Sequence, residues 1–169
     1  MFASLAALTL LLAAPEGPRL ELAVGSPESS IRLHLRPLSA LSLGAQAELT
    51  DAGALRLGLS SIWHLGFAPR LGLELEVSVL RSFATVDTTD LQLVPRVWFA
   101  IEADVRLFLR AGAIGYLGDE PYHRGVVGLL SSGGTFALSP ALAVVVEGGA
   151  MLAHQGSRPR FALGLVWNP

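Results

Sequence analysis

The residues with the most evident chemical potential in this sequence are eight charges on the polar parity of segments that alternate polar and apolar residues. They are Glu48, Glu74, Glu76 and Glu147 against Arg56, Arg96, Arg106 and Arg110, four of each sign. Charges held in an apolar setting must meet in pairs, and arginine's planar fork binds a carboxylate better than lysine's point charge does. All 12 cations of the chain are arginine. The set therefore reads as an ion-pair network. A hydrolytic alternative is His154, Ser157 and Glu147, which have the residue types of a base, a nucleophile and an orienting acid. Their H-Q-G-S spacing falls in a loop, so they stand as residues to exclude, and no catalytic residue is assigned. The four histidines, His34, His64, His123 and His154, include no two at metal-ligand spacing. His34 and His64 share the polar face of their strands, whereas His123 and His154 fall in loops. Without cysteine there is no disulfide, thiolate site or thiol catalysis. Phosphate-loop, zincin and nucleophile-elbow motifs are absent. No metal and no cofactor is expected.

The elements that position these charges show best between Pro95 and Gly118. From Val97 to Ala113 every odd position is apolar, and the even positions carry Trp98, Glu102, Asp104, Arg106, Arg110 and Gly112. Successive side chains of a strand point to opposite faces, so this ribbon has one greasy side and one charged side. The polar break at Glu102–Asp104 folds it into a hairpin. The same unit recurs along the chain. Strands are predicted at Ala40–Leu49, Ala54–Phe67, Leu71–Phe83, Leu91–Ile101, Val105–Leu117, Gly125–Leu138, Leu142–Leu152 and Arg160–Trp167. Two shorter segments, Arg19–Gly25 and Ile31–Arg36, precede them, with Gly25–Ser30 read as a loop and Arg36–Ser39 as a proline turn. Thr85–Asp90, Gly118–Arg124 and Ala153–Pro159 read as polar loops.

Composition agrees with that pattern. The 169 residues are 51% hydrophobic and 15% charged, whereas a soluble domain carries roughly 25% charge. No apolar run reaches the roughly 18 residues of a membrane helix; the apolar residues are spread over alternate positions instead. The net charge of −2, with no basic run, argues against nucleic acid as a partner. Ala3–Ala14 is a short apolar segment closed by small residues and a Pro-Glu-Gly-Pro stretch. It reads as the end of a cleaved signal, residues 1–14, ahead of a single domain at 19–167.

The expected fold is all-β, an up-and-down antiparallel transmembrane β-barrel of about 10 strands, with 8 as the alternative. Alternation alone leaves open which face meets lipid. Trp63, Phe67, Phe83, Phe161 and Trp167 sit on the apolar face towards strand ends, where membrane-interface aromatics are expected. The polar face mixes glycines with balanced charges, as a narrow lumen filled by its own side chains requires. The hairpin Gly134–Ala150 and the ending Phe161–Trp167 resemble the small outer-membrane β-barrel superfamily of Gram-negative bacteria. That resemblance is one of pattern, spans Arg19–Trp167, and is specific to no single member. It implies an outer-membrane location after export across the inner membrane. It also implies contact with outer-membrane lipids and lipopolysaccharide, and recognition of the last strand by the barrel-assembly machinery. Trp167 takes the aromatic place there, although Asn168 and Pro169 follow it. Some members deacylate lipid A with a His and Ser two apart on a strand, a spacing this chain lacks.

The function expected is therefore a structural or interaction role in the cell envelope, non-enzymatic, with a side-chain-filled lumen. Two alternatives remain: an enzyme modifying lipid A or phospholipid, and a soluble lipocalin-like barrel binding an apolar ligand. No protein partner is identifiable, and Gly118–Arg124 is the best exposed candidate for contact.

Overall fold

A computed structural model describes residues 16–83, 88–118, 125–154 and 156–169. The apolar segment at residues 1–14 lies outside them, as does most of the Gly118–Arg124 loop, including His123. Ten strands follow in chain order: β1 Glu16–Ser26, β2 Glu28–Leu38, β3 Leu41–Thr50, β4 Leu55–Ala68, β5 Leu71–Phe83, β6 Thr88–Ala100, β7 Val105–Gly118, β8 Gly125–Ser139, β9 Leu142–Ala153 and β10 Gly156–Trp167. Each pairs antiparallel with its neighbours in sequence, and β1 closes on β10 from Leu20↔Trp167 to Ser26↔Phe161. Closure leaves no sheet edge, so each strand meets a partner's backbone donors and acceptors on both sides rather than lipid.

The count is ten rather than eight because the N-terminal hairpin is longer than its apolar pattern suggests. β1 and β2 have 11 residues each. Glu28, Ser29 and Ser30, expected in a loop, pair with Thr50, Leu49 and Glu48. Arg36 and Pro37 also lie within β2 rather than in a turn, and the register shifts between Leu35 and Leu38 to accommodate the proline. Two further expected loops shorten in the same way. β6 begins at Thr88, so Asp90 is a strand residue, and Ser157–Pro159 belong to β10. Polar residues at strand ends read as loop in the sequence, yet their backbones continue the ladder.

Short turns at 39–40, 69–70, 101–104 and 140–141 mark one end of the cylinder, together with the start of β1 and the finish of β10. This is the terminal end; the opposite is the loop end. The apolar side chains face outward. Among the described residues, 34 large apolar side chains are exposed and only seven hydrophobic residues are buried. A soluble barrel has the reverse distribution. The seven, Leu80, Val94, Phe108, Ile114, Leu129, Ala143 and Val166, point into the lumen. Leu129 on that inner face explains why the alternation of β8 is weak in the sequence.

The aromatics Trp63, Phe67, Phe83, Phe161 and Trp167 are all outward and 48–67% exposed. Trp63, Phe67 and Trp167 lie towards the terminal end, joined there by Phe99 and Phe136, and Phe83 and Phe161 lie towards the loop end. Aromatic belts at both ends of an apolar wall match the two interfaces of a bilayer.

Candidate functional site

The inner positions of these strands bring arginine and glutamate together in a closed ring. Starting from Glu28 on β2, Arg56 on β4 reaches its carboxylate at 2.7 Å and Glu48 on β3 at 3.6 Å. Arg32 on β2 bridges Glu48 at 3.5 Å and Glu76 on β5 at 3.0 Å. Arg110 on β7 continues from Glu76 at 3.4 Å to Glu147 on β9 at 2.9 Å. Arg160 on β10 pairs with Glu147 at 3.4 Å and returns to Glu28. Four arginines and four glutamates thus alternate around one circuit, each between two opposite charges. None of the eight is more than 8% exposed.

Two side groups tie the ring to the wall. Asp90 on β6 accepts from Arg56 at 2.9 Å, and Ser131 on β8 donates to Glu147 at 2.7 Å. The circuit crosses the lumen rather than following one strand pair: Arg32 and Glu76 are 44 residues apart, Arg110 and Glu147 are 37 apart. A buried carboxylate or guanidinium is stable only when matched by countercharge, which the alternation supplies throughout. Hydrogen bonds reach Glu28, Glu76 and Glu147, and Glu48 is ion-paired without a hydrogen bond. The glutamate at position 48 has the loosest pairs of the ring, both at 3.5 Å or beyond.

Of the residues singled out in the sequence, Glu48, Arg56, Glu76, Arg110 and Glu147 meet in this ring. Glu74 and Arg96 pair with each other at 3.2 Å in a second cluster nearer the terminal end. His64 joins them through Nδ1 at 3.3 Å, and its Nε2 lies 2.8 Å from the Ser42 hydroxyl. Arg106 does not enter the network. It is exposed near the start of β7, and its guanidinium lies over the Trp98 ring, 5.3 Å from the centroid. A side chain so close to the mouth stacks on the nearest aromatic instead of reaching the buried carboxylates.

The ring also holds residues that sequence reasoning missed. Glu28 of the ring and its side group Asp90 fall where the sequence pattern reads as loop, and Arg160 stands only at the edge of a predicted strand. Arg32 carried a usable signal, since it alternates with Ile31 and Leu33 on the charged face of β2.

His154, Ser157 and Glu147 do not form a hydrolytic site. Ser157 pairs with Leu152 while Glu147 pairs with Ala162. Five rungs at ~3.4 Å each separate them by about 17 Å along the ladder. Glu147 is instead held by Ser131, Arg110 and Arg160. Among the described residues no three His, Cys, Asp or Glu side chains gather as a metal site.

Two cavities approach the ring from opposite ends. The one at the loop end has a volume of about 800 Å³ and reaches down to Glu28, Arg56 and Asp90. The one at the terminal end, about 540 Å³, reaches Arg32 and Glu76. Members of the ring thus form the floor of both. The inward apolar residues Leu80, Val94, Ile114 and Leu129 occupy the wall from β5 to β8 beside it. Glycines make room for the larger inner rings: a Cβ at Gly133 would sit 2.6 Å from Phe108, and one at Gly72 would overlap the Trp98 indole.

No family model matches the sequence, and no curated protein matches it. Solved structures do match. A KdgM porin is 9% identical, with 89% of this chain and 98% of that chain covered, at a TM-score of 0.56. A NanC porin is 8% identical over 90% of this chain and all of that one (100%), with a TM-score of 0.52. An outer membrane channel from Pseudomonas putida F1 is 12% identical over 83% of this chain and 65% of that chain, with a TM-score of 0.57. Identities this low speak for the fold alone. On its closure, its apolar outer wall and these likenesses, the chain is an all-β, ten-strand transmembrane β-barrel with the architecture of outer-membrane porins and channels.

Proposed function

We propose that this chain is a sealed outer-membrane β-barrel with a structural or interaction role in the cell envelope and no enzymatic chemistry. The observation that carries the reading is the unbroken circuit of Glu28, Arg56, Glu48, Arg32, Glu76, Arg110, Glu147 and Arg160 between the two cavities. An ion crossing there must part buried ion pairs and leave each separated member with one countercharge fewer, a cost of several kcal/mol. A barrel of this size is filled by its own side chains, unlike the wide water-filled lumen of large porins. Outer-membrane lipids, lipopolysaccharide among them, pack against the leucine-and-valine wall. Residues 1–14 serve as the export signal, and the strand ending at Trp167 as the segment the barrel-assembly machinery engages.

Planar-bilayer recording tests the seal. The wild-type protein should insert without unitary current steps. A double replacement, Arg110→Ala with Glu147→Ala, should introduce steps by cutting the circuit on one side. Steady open-channel current from the wild type would overturn the reading. Mass spectra of lipid A, taken with and without the protein, test the enzymatic alternative; a modified species that depends on the protein would establish it.

A further inference from the structure

The cavity at the terminal end has a chemistry the sealed ring does not use. Its lining is predominantly polar, with five arginines against three glutamates. Two of those arginines are braced on aromatic rings of the β6–β7 hairpin, where Trp98 and Phe108 are cross-strand partners. Arg96 lies 4.9 Å from the Phe108 centroid and Arg106 lies 5.3 Å from that of Trp98. A guanidinium held over a ring by cation–π attraction uses no N–H for a carboxylate in that contact and keeps N–H groups for another acceptor, in the fork that suits an oxyanion. Arg96 spends one such group on Glu74. Arg106 has no carboxylate partner among the described residues.

An independent observation lies across the same cavity. His34 lines it, is only 3% exposed, and neither ring nitrogen has a hydrogen-bond partner among the described residues. Arg19 and Arg32 each also leave Nε without a partner there. Buried polar groups of this kind are normally satisfied, and the two guanidinium Nε–H groups and the one N–H of a neutral imidazole are donors that lack an acceptor.

We propose that this vestibule binds a small free oxyanion, a phosphate or a carboxylate, between the Arg106 and Arg96 forks and His34. The assignment does not rest on the sealed lumen: binding at the mouth is measurable whether or not the ring conducts. The test uses the full chain folded in non-ionic detergent, with Trp63 and Trp167 replaced by phenylalanine so that Trp98 is the remaining tryptophan. Titration with inorganic phosphate, and separately with succinate, at ionic strength matched with sodium chloride, should shift Trp98 emission saturably. Calorimetry on the wild-type sequence should give the same midpoint. Arg106→Gln should weaken binding at least about tenfold, the worth of a charge-assisted hydrogen bond. Arg106→Lys should recover only part of it. Both variants should retain heat-modifiable gel mobility, because Arg106 stands outside the ring. No saturable response to either anion, or equal binding by Arg106→Gln, would overturn the proposal. So would a response confined to phosphatidylglycerol vesicles, which would point to a lipid headgroup.

Discussion

At the scale of single residues, a charge matters here according to how many partners it serves. Glu147 receives Arg110, Arg160 and the Ser131 hydroxyl. Glu147→Gln leaves two buried guanidiniums short of a countercharge and should cost about 3–5 kcal/mol. Urea titration of the protein folded into lipid vesicles would measure it. Arg106→Gln, at an exposed position outside the ring, should cost only about 0–1 kcal/mol in the same assay. Equal losses for the two variants would mean that the ring is not what holds the lumen together. The same contrast shows what could be read in advance. The identity of five ring members was legible, because each stands at the charged parity of a clear strand. Glu28 and Asp90 were not, because flanking serines, threonines and prolines look like loop whether or not the backbone stays paired.

At the scale of the element, each strand is a two-faced ribbon, and its outer face is graded by depth. Leu59 lies inside β4, opposite Ala45 and Val79, and is 70% exposed on the outer wall. An arginine there faces the hydrocarbon middle, so Leu59→Arg should cost about 2–4 kcal/mol. Leu71 is the first residue of β5, at the terminal rim. Leu71→Arg can extend its guanidinium to the headgroups and should cost about 0–1 kcal/mol. Folding yields and urea midpoints in vesicles separate the two. A reversed order would place the lipid boundary elsewhere. This grading follows from alternation and strand length, both readable from sequence, whereas the exact height of a residue depends on tilt and register.

At the scale of the whole molecule, the decisive event is closure. β1 joins the first hairpin to the last strand, and Arg160 on β10 meets Glu28 across β1, 132 residues away in the chain. An eight-strand barrel would fold without residues 16–38; a ten-strand barrel cannot. Deleting that hairpin should abolish the heat-modifiable mobility shift on refolding into detergent. A truncated chain that still shifted would argue that the remaining strands close by themselves. The two cavities also exist only at this scale, since their floors and walls come from strands far apart in sequence.

By itself the sequence determined the fold class, the two faces of each strand and the residue types each face carries. Those are local properties: side chains alternate every second residue wherever the backbone is extended, and lipid tolerates charge only on the hidden side. Only the tertiary structure decided the strand number, the pairing of particular arginines with particular glutamates, and the division of the lumen into two vestibules. Those depend on the register accumulated over ten strands, where one residue of slip in any hairpin exchanges inside for outside and every partner across the lumen with it.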